Sequence, residues 1–441
     1  MSAPSQAIEK ANPRPLPQPL TSICAAAAVL GILTFGYGLT SDPQTTWLSF
    51  HTNFVYFGTL SLGGLILSAI FCTVGATWPG PYRRIAEGLA AWVPITAVLS
   101  LVGYFGRHYI FEWSREGAAH GKDVWLNDAR VYGTDIAVLV ILAIWAIVFL
   151  RTSLRPTLGG GSPGATGFAK TMSERWTAGW KGDREERDAS DAKLGRMAPV
   201  LILFFALGGS VFVFDQVMSM DQLWFSNLFG AYVLWGGLAS ALSLTAVIGI
   251  LLRKSPGFEG QISEKRMHDI GKLIFGFGIF WLYLFFAQYL VIYYGNMPEE
   301  TGFIRDRLGP QFLIDKGYTE AAWALSWTDG WDFRWERLAE GWGWVAMSIW
   351  LFNWILPFWV LLGQRPKKTV WIAGPVAFGV VTGFWLERNL LVWPSVVKGD
   401  QLAWLGPIQI GVLLGFVGAF ALVFLVYSRI FPSLAVEESS S

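Results

Sequence analysis

The chain has 441 residues, of which 53% are hydrophobic and 16% aromatic but only 15% charged, well below the roughly 25% charged residues of an average soluble domain. Its 33 Lys and Arg against 32 Asp and Glu leave a formal charge of +1, which gives no basic surface for nucleic acid. Cys24 and Cys72 are the only cysteines, too few for a disulfide framework or a four-cysteine iron-sulfur site. This composition specifies an all-α integral membrane protein, and 24 Trp, 32 Phe and 49 Gly suit interfacial anchoring and close helix packing.

In chain order, residues 1–19 form a polar, Pro-rich segment. The apolar run behind it is too long for a signal peptide and lacks a small-residue cleavage site, so a retained first span is expected. Apolar stretches able to cross about 30 Å of hydrocarbon follow near 20–40, 52–76, 86–106, 134–150, 197–215, 226–252, 270–294, 342–362, 369–386 and 403–428. That makes ten helices in a polytopic domain over 20–430, followed by a flexible acidic tail over 431–441. The fourth span needs Gly133 and Asp135 to reach full length, and Pro375 and Gly383 interrupt the ninth. Pro94 and Pro357 should bend the third and eighth.

The connections orient the chain. With the N-terminus inside, 22 of the 33 Lys and Arg fall on the inner side, the bias expected when both termini are cytoplasmic. PGPYRR and GQRPKK are basic inner loops, whereas TSDPQTTW and MSMDQLW on the outer side carry no Lys or Arg. Two long outer connections, around 104–133 and 294–341, mix charges with aromatics and suit interfacial helices or docking surfaces. The long inner connection, GGGSPGATG followed by KGDREERDASDAK, reads as a flexible charged loop with short helical pieces.

The four histidines do not make facing pairs inside helices, as two membrane haems would need. His51 falls at the outer end of the second span, His108 and His120 in an outer loop, and His268 just before the seventh span. HExxH, Walker A and a GxGxxG between strand and helix are all missing, so hydrolase and nucleotide-dependent mechanisms lack their equipment. No metal or cofactor is expected on this chain.

Ionisable residues at membrane depth carry more information, because an unpaired charge there costs several kcal/mol and commonly marks an ion or proton route. Asp215 and Asp221 flank FDQVMSMDQLWFS at the outer end of the fifth span, and Asp135 lies one turn into the fourth. Asp269 and Lys272 share a helical face at the inner entrance to the seventh span. Glu387 and Arg388 end the ninth beneath a Trp-rich rim. As a set these seven residues define two polar half-routes for protons; as individuals, each reads equally well as a helix-end anchor or salt bridge. Thr59, Ser61, Thr96, Ser100, Tyr283, Gln288, Tyr289, Ser348 and Asn353 are the groups available to link the half-routes through water, or to serve as interhelical glue. Glycines in GTLSLGG, GKLIFGFG and GVLLGFVG suit close helix approach.

Several stretches taken together resemble a known family: NFVYFGTLSLGGL with RRIAEGLAAWVPI, FVFDQVMSMDQLWFSNLFGAYVLWG, HDIGKLIFGFGIFWLYLFFAQYLVIYYGNMPEET, and LPFWVLL followed by ERNLLVWP. They resemble the polysulfide-reductase-type (NrfD-like) integral membrane subunits, most of all the second such subunit of alternative complex III, a quinol:cytochrome c oxidoreductase. The resemblance implies two four-helix bundles, over about 51–215 and 226–392, flanked by the first and last helices. It also implies a bacterial inner membrane, a homologous membrane subunit beside this one, smaller membrane subunits, lipid, and a terminal oxidase as a further partner. Periplasmic partners would carry iron-sulfur clusters and haem c. The quinol pocket would belong to the companion subunit, and this chain would support assembly and proton translocation without redox cofactors of its own. Asp215, Asp221, Asp269 and Lys272 fall within the family-like stretches. An independent ion-coupled transporter and a purely structural anchor remain the alternatives, separable by co-purification with haem and iron-sulfur subunits.

Overall fold

The computed structural model describes residues 17–115, 121–159, 167–255, 260–308, 342–397 and 403–431. His120, most of the N-terminal segment and the tail beyond 431 lie outside these residues. Among the described residues are ten helices long and apolar enough to cross a membrane: α1 Gln18–Ser41, α2 Pro43–Thr73, α3 Pro81–Phe105, α4 Asp128–Leu158, α5 Asp183–Met220, α6 Phe229–Leu252, α7 Glu264–Gly295, α8 Gly343–Val360, α9 Val370–Val396 and α10 Pro407–Ile430. No β-strand occurs among the described residues. The chain is a multi-pass helical membrane protein. The end at which α1 begins collects the Arg- and Lys-rich connections and is called the basic end below.

Several helices outrun their apolar cores, and this changes the setting of three expected features. First, α2 begins at Pro43, with Asp42 accepting the Thr45 N–H at 3.1 Å as N-cap. His51 is therefore not an end residue. It lies inside the helix and is buried, as are Thr46, Ser49, Thr52 and Asn53. Hydropathy misses this turn because α2 is shielded from lipid, with 94% of its apolar window buried, so its polar side chains meet protein instead. Second, KGDREERDASDAK is not a loop, since α5 runs unbroken from Asp183. Asp183, Glu185 and Glu186 occupy its first turn, where carboxylates favour the helix dipole, and Glu186 grips Arg155 of α4 at 2.5 and 2.8 Å. Third, α9 continues through Pro375 and Pro394 to Val396. Glu387 and Arg388 do not end it but lie about 13 Å of helix short of Val396.

Proline acts as expected in α3 and α8. The first is broken at Ala91–Trp92, with Pro94 in the first turn of its second half. The second widens into a π turn over Leu351–Ile355 just before Pro357, because the proline lacks an N–H and crowds the preceding turn.

Packing centres on α2, which touches α1, α3, α5, α6, α9 and α10. One closed set of neighbours runs α2–α3–α4–α5 and a second runs α6–α7–α8–α9, while α1 lies along α10. Where α2 meets α6, a Cβ on Gly63 would stand 2.5 Å from the Gly237 carbonyl oxygen, and one on Gly237 the same distance from the Thr59 carbonyl oxygen. Gly31 and Gly415 face each other with no room for a Cβ on either, which lets α1 and α10 pack backbone to backbone. In the GKLIFGFG stretch, Gly271 abuts Lys367 and Gly278 abuts the Asn353 carbonyl, but Gly276 faces open space.

Candidate functional site

Three buried ionic clusters stand out against the apolar interior. The first joins α4 and α5 near the end opposite the basic one. Gln216 Nε2 donates to Asp135 Oδ2 at 2.7 Å, Arg130 Nη1 donates to Asp215 Oδ1 at 2.6 Å, and His51 Nε2 meets the Gln216 carbonyl oxygen at 2.8 Å. Asp135 Oδ1 and Asp215 Oδ2 are buried without a hydrogen-bond partner. Arg130 stacks on Trp125 with its guanidinium carbon 3.5 Å from the ring centre. The structure thus unites Asp135 with Asp215 and gives His51 a partner.

The second cluster surrounds Glu87 of α3 toward the basic end. Its Oε1 accepts from Ser68 of α2 at 2.9 Å, Ser153 of α4 at 2.6 Å and Arg83 at 3.3 Å, while Oε2 accepts from Arg84 at 2.8 Å. Arg84 also donates to Ser153 at 2.7 Å and Thr157 at 3.2 Å. Glu87 is fully buried. It was not among the sequence candidates. Its signal was present in RRIAEG, where Arg83, Arg84 and Glu87 fall at helical spacings of three and four, but the basic pair read as a loop anchor.

The third cluster lies inside the second set of helices. Glu387 Oε1 accepts from Trp281 Nε1 of α7 at 2.7 Å, its Oε2 pairs with Arg388, and Arg388 Nη2 donates to the Val233 carbonyl of α6 at 2.6 Å. Tyr232 of α6 is buried in the same set of helices. Both charges are shielded from solvent and lipid, so they neutralise each other. One turn toward the basic end, the Asn353 amide in the π turn packs against Gly383 and has no hydrogen-bond partner.

The other candidates fall elsewhere. Asp221 is separated from Asp215 by a 3-10 turn and stands 4.0 Å from Arg307 of the Pro298–Leu308 helix. Burial pushes the Arg307 guanidinium down to about 10, against the pull of Asp221 and Asp306. Asp269 and Lys272 pair at 2.7 Å with the lysine half exposed, at the surface of the basic end and outside all three clusters. Burial beside Lys272 also lowers the ammonium of the neighbouring Lys367.

The hydroxyls do not link the clusters. Thr59, Ser61, Thr96, Ser100 and Ser348 donate to carbonyls of their own helices, the local bonding that satisfies a hydroxyl within a helix. The bridging hydroxyl is Tyr56 of α2, which donates to the Val381 carbonyl of α9 at 2.8 Å and meets Ser240 of α6 at 3.0 Å. Among the described residues, no group of three His, Cys, Asp or Glu side chains is arranged to hold a metal ion.

No family model matches the chain, and no curated protein matches it.

Proposed function

We propose that this chain is a membrane subunit of a quinol-oxidising respiratory complex, of the polysulfide-reductase type and most like the second such subunit of alternative complex III, and that its first four-helix bundle takes part in proton movement. The two closed sets of helices, with α1 and α10 outside them, support the two-bundle architecture of that family. In this reading the basic end faces the cytoplasm of a bacterial inner membrane, with both termini there. A homologous membrane subunit, smaller membrane subunits and periplasmic iron-sulfur and haem c subunits surround it.

The observation that carries the proton role is the pair of buried carboxyl clusters near opposite ends of one bundle. Asp135 and Ser153 lie on the same helix, eighteen residues or about 27 Å apart, close to the full hydrocarbon thickness. Between them α4 carries no charged side chain except Arg151. Carboxyls near each face, separated by an apolar stretch, are what a coupled carrier of protons requires: each station exchanges with one side, and no continuous hydrogen-bonded path short-circuits the membrane. Asp135 and Asp215, each with one carboxyl oxygen buried and without a hydrogen-bond partner, provide groups that take up or release a proton at a fixed place.

The test is the assembled complex in closed vesicles, with Asp135→Asn, Asp215→Asn and Glu87→Gln made separately. Each substitution keeps the side chain's shape and one acceptor oxygen while removing the titratable group. Assembly and quinol oxidation should survive while the proton-to-electron ratio falls. An unchanged ratio in all three would leave the clusters as structural clamps, and solute transport by the isolated chain would favour an independent carrier.

A further inference from the structure

Among the described residues the buried cations are Arg84, Arg307, Lys367 and Arg388. Three of them have a carboxylate: Glu87 stands 2.8 Å from Arg84, Asp221 stands 4.0 Å from Arg307, and Glu387 pairs with Arg388. Lys367, in the short helix Gln364–Lys368 between α8 and α9, has no ion pair among the described residues. Its one hydrogen bond there runs from Nζ to the Leu362 carbonyl at 3.4 Å, beyond the usual length of such bonds. An ammonium carries three donors, and a buried charge is held by a counter-ion as a rule, so an anion is missing at this place.

The setting of Lys367 limits what that anion is. A Cβ on Gly271 would stand 3.1 Å from the Lys367 Cβ and Cγ, so the glycine lets the lysine stem lie against α7. Its Nζ is 5.3 Å from the centre of the Phe275 ring, one turn further into the span. A lysine at a membrane boundary ordinarily extends toward water, whereas this one turns inward; the ring face attracts its charge but supplies no oxygen. Residues 268–272 and 364–368 hold Lys272, Arg365, Lys367 and Lys368 against one carboxylate, Asp269, which Lys272 already occupies at 2.7 Å. The excess charge is positive, so a zwitterionic headgroup would bring its own ammonium into repulsion. Exposed apolar side chains border the site, Trp359 and Leu362 before the short helix and Trp371 after it. On α7, Gly276 lies one turn from Lys272 on the same face and opens onto free space, and Ile279, Phe280 and Tyr283 are exposed beyond it. A soluble anion makes no use of such a border, but an acyl chain fits it.

We propose that the short helix Gln364–Lys368 and the adjoining turn of α7 bind the phosphate of an anionic phospholipid in the leaflet at the basic end, its oxygens accepting from Lys367 Nζ and an acyl chain lying along α7 past Gly276. Basic pockets between spans suit such headgroups, and the exposed cations beside Lys367 add the longer-range attraction. The inference requires only that the chain spans a bilayer, so it stands or falls apart from the respiratory role and the proton route proposed above.

The experiment is equilibrium binding of a phosphatidylglycerol with a photoreactive diazirine in one acyl chain to the full chain in nanodiscs of phosphatidylcholine. One saturable site per chain is expected, crosslinked to α7 near Gly276 or to the α8–α9 connection. Lys367→Gln should weaken binding roughly tenfold, the loss of one charge-assisted hydrogen bond. Lys254→Gln removes an exposed positive charge elsewhere at the basic end and should weaken it far less. Gly276→Trp, which blocks the acyl path and removes no charge, should weaken it severalfold and keeps the test decisive if Lys367→Gln does not fold. Equal weakening in Lys254→Gln and Lys367→Gln, wild-type affinity in Gly276→Trp, or crosslinks elsewhere would each overturn the proposal. So would equal labelling of the site by a diazirine phosphatidylcholine, displacement of the lipid by inorganic phosphate, or binding that appears only once the acidic residues 432–441 are removed.

Discussion

The two sets of four helices handle buried charge differently. In the first, Glu87 takes bonds from three helices, α2, α3 and α4, and from four donors, so no single partner carries the whole load. In the second, Glu387 and Arg388 are neighbours on one helix and depend on each other, with Trp281 and the Val233 carbonyl completing the set. The second set also has the π turn and the unpartnered Asn353 amide. A network distributed over several helices tolerates the loss of a member, whereas a two-member pair exposes its survivor. The first arrangement suits a fixed scaffold around titratable groups; the second hangs a buried charge on one principal partner.

The sharpest way to break this contrast is to remove the same kind of residue from each side. Arg388→Met strands Glu387 in the interior and should cost about 3–5 kcal/mol, read as loss of the folded fraction in a detergent or steric-trap unfolding measurement. Combining it with Glu387→Gln should recover much of that loss. Arg84→Met leaves Glu87 with Arg83, Ser68 and Ser153, and should cost clearly less than Arg388→Met. Equal losses at the two sites would remove the distinction between distributed and two-member neutralisation.

The junction between the two sets sharpens the comparison at smaller magnitude. Gly237→Val drives a side chain against the Thr59 backbone where α2 and α6 cross, and overpacking of this kind costs about 1–3 kcal/mol. Tyr56→Phe deletes the hydroxyl that joins α2, α6 and α9 and should cost about 1 kcal/mol. If the two sets form one cooperative unit, both variants lower the stability of the whole chain in a single transition. Separate transitions monitored from Trp-rich α9 and from α4 would show instead that the sets unfold independently.

Much of this organisation was legible in the sequence because hydropathy reports lipid contact directly. All ten spans coincide with apolar stretches, and Asp135 and Asp215 declared themselves as charges where none belongs. What remained hidden was buried against protein rather than lipid. The first turns of α2 carry Thr46, Ser49, His51, Thr52 and Asn53, and nothing in a hydropathy window distinguishes such a helix from an outer loop. Glu87 was hidden by Arg83 and Arg84, which look like ordinary inner-loop positives until the helix brings them around the carboxylate. The division of Asp221 from Asp215 depends on a turn at Met218–Met220, and a spacing of six residues does not determine which way the chain leaves it.

The smallest expected effect concerns Asp269 and Lys272, whose spacing matched a helical ion pair and whose bond does form. Geometry alone would rank it with the buried clusters, since its 2.7 Å separation is as short as theirs. Exposure decides otherwise. The Lys272 side chain is 54% exposed, so water and counterions screen the attraction, and ordering a long flexible side chain offsets part of the remainder. Asp269→Asn should therefore change stability by no more than about 0.5 kcal/mol, and any change should vanish in high salt, where the buried clusters keep their effect. Measured beside Arg388→Met at low and high salt, it separates a charge that holds the fold from one that decorates the membrane surface. A salt-insensitive loss at Asp269 above about 1 kcal/mol would put the basic-end entrance to α7 among the buried clusters and return it to the proton route.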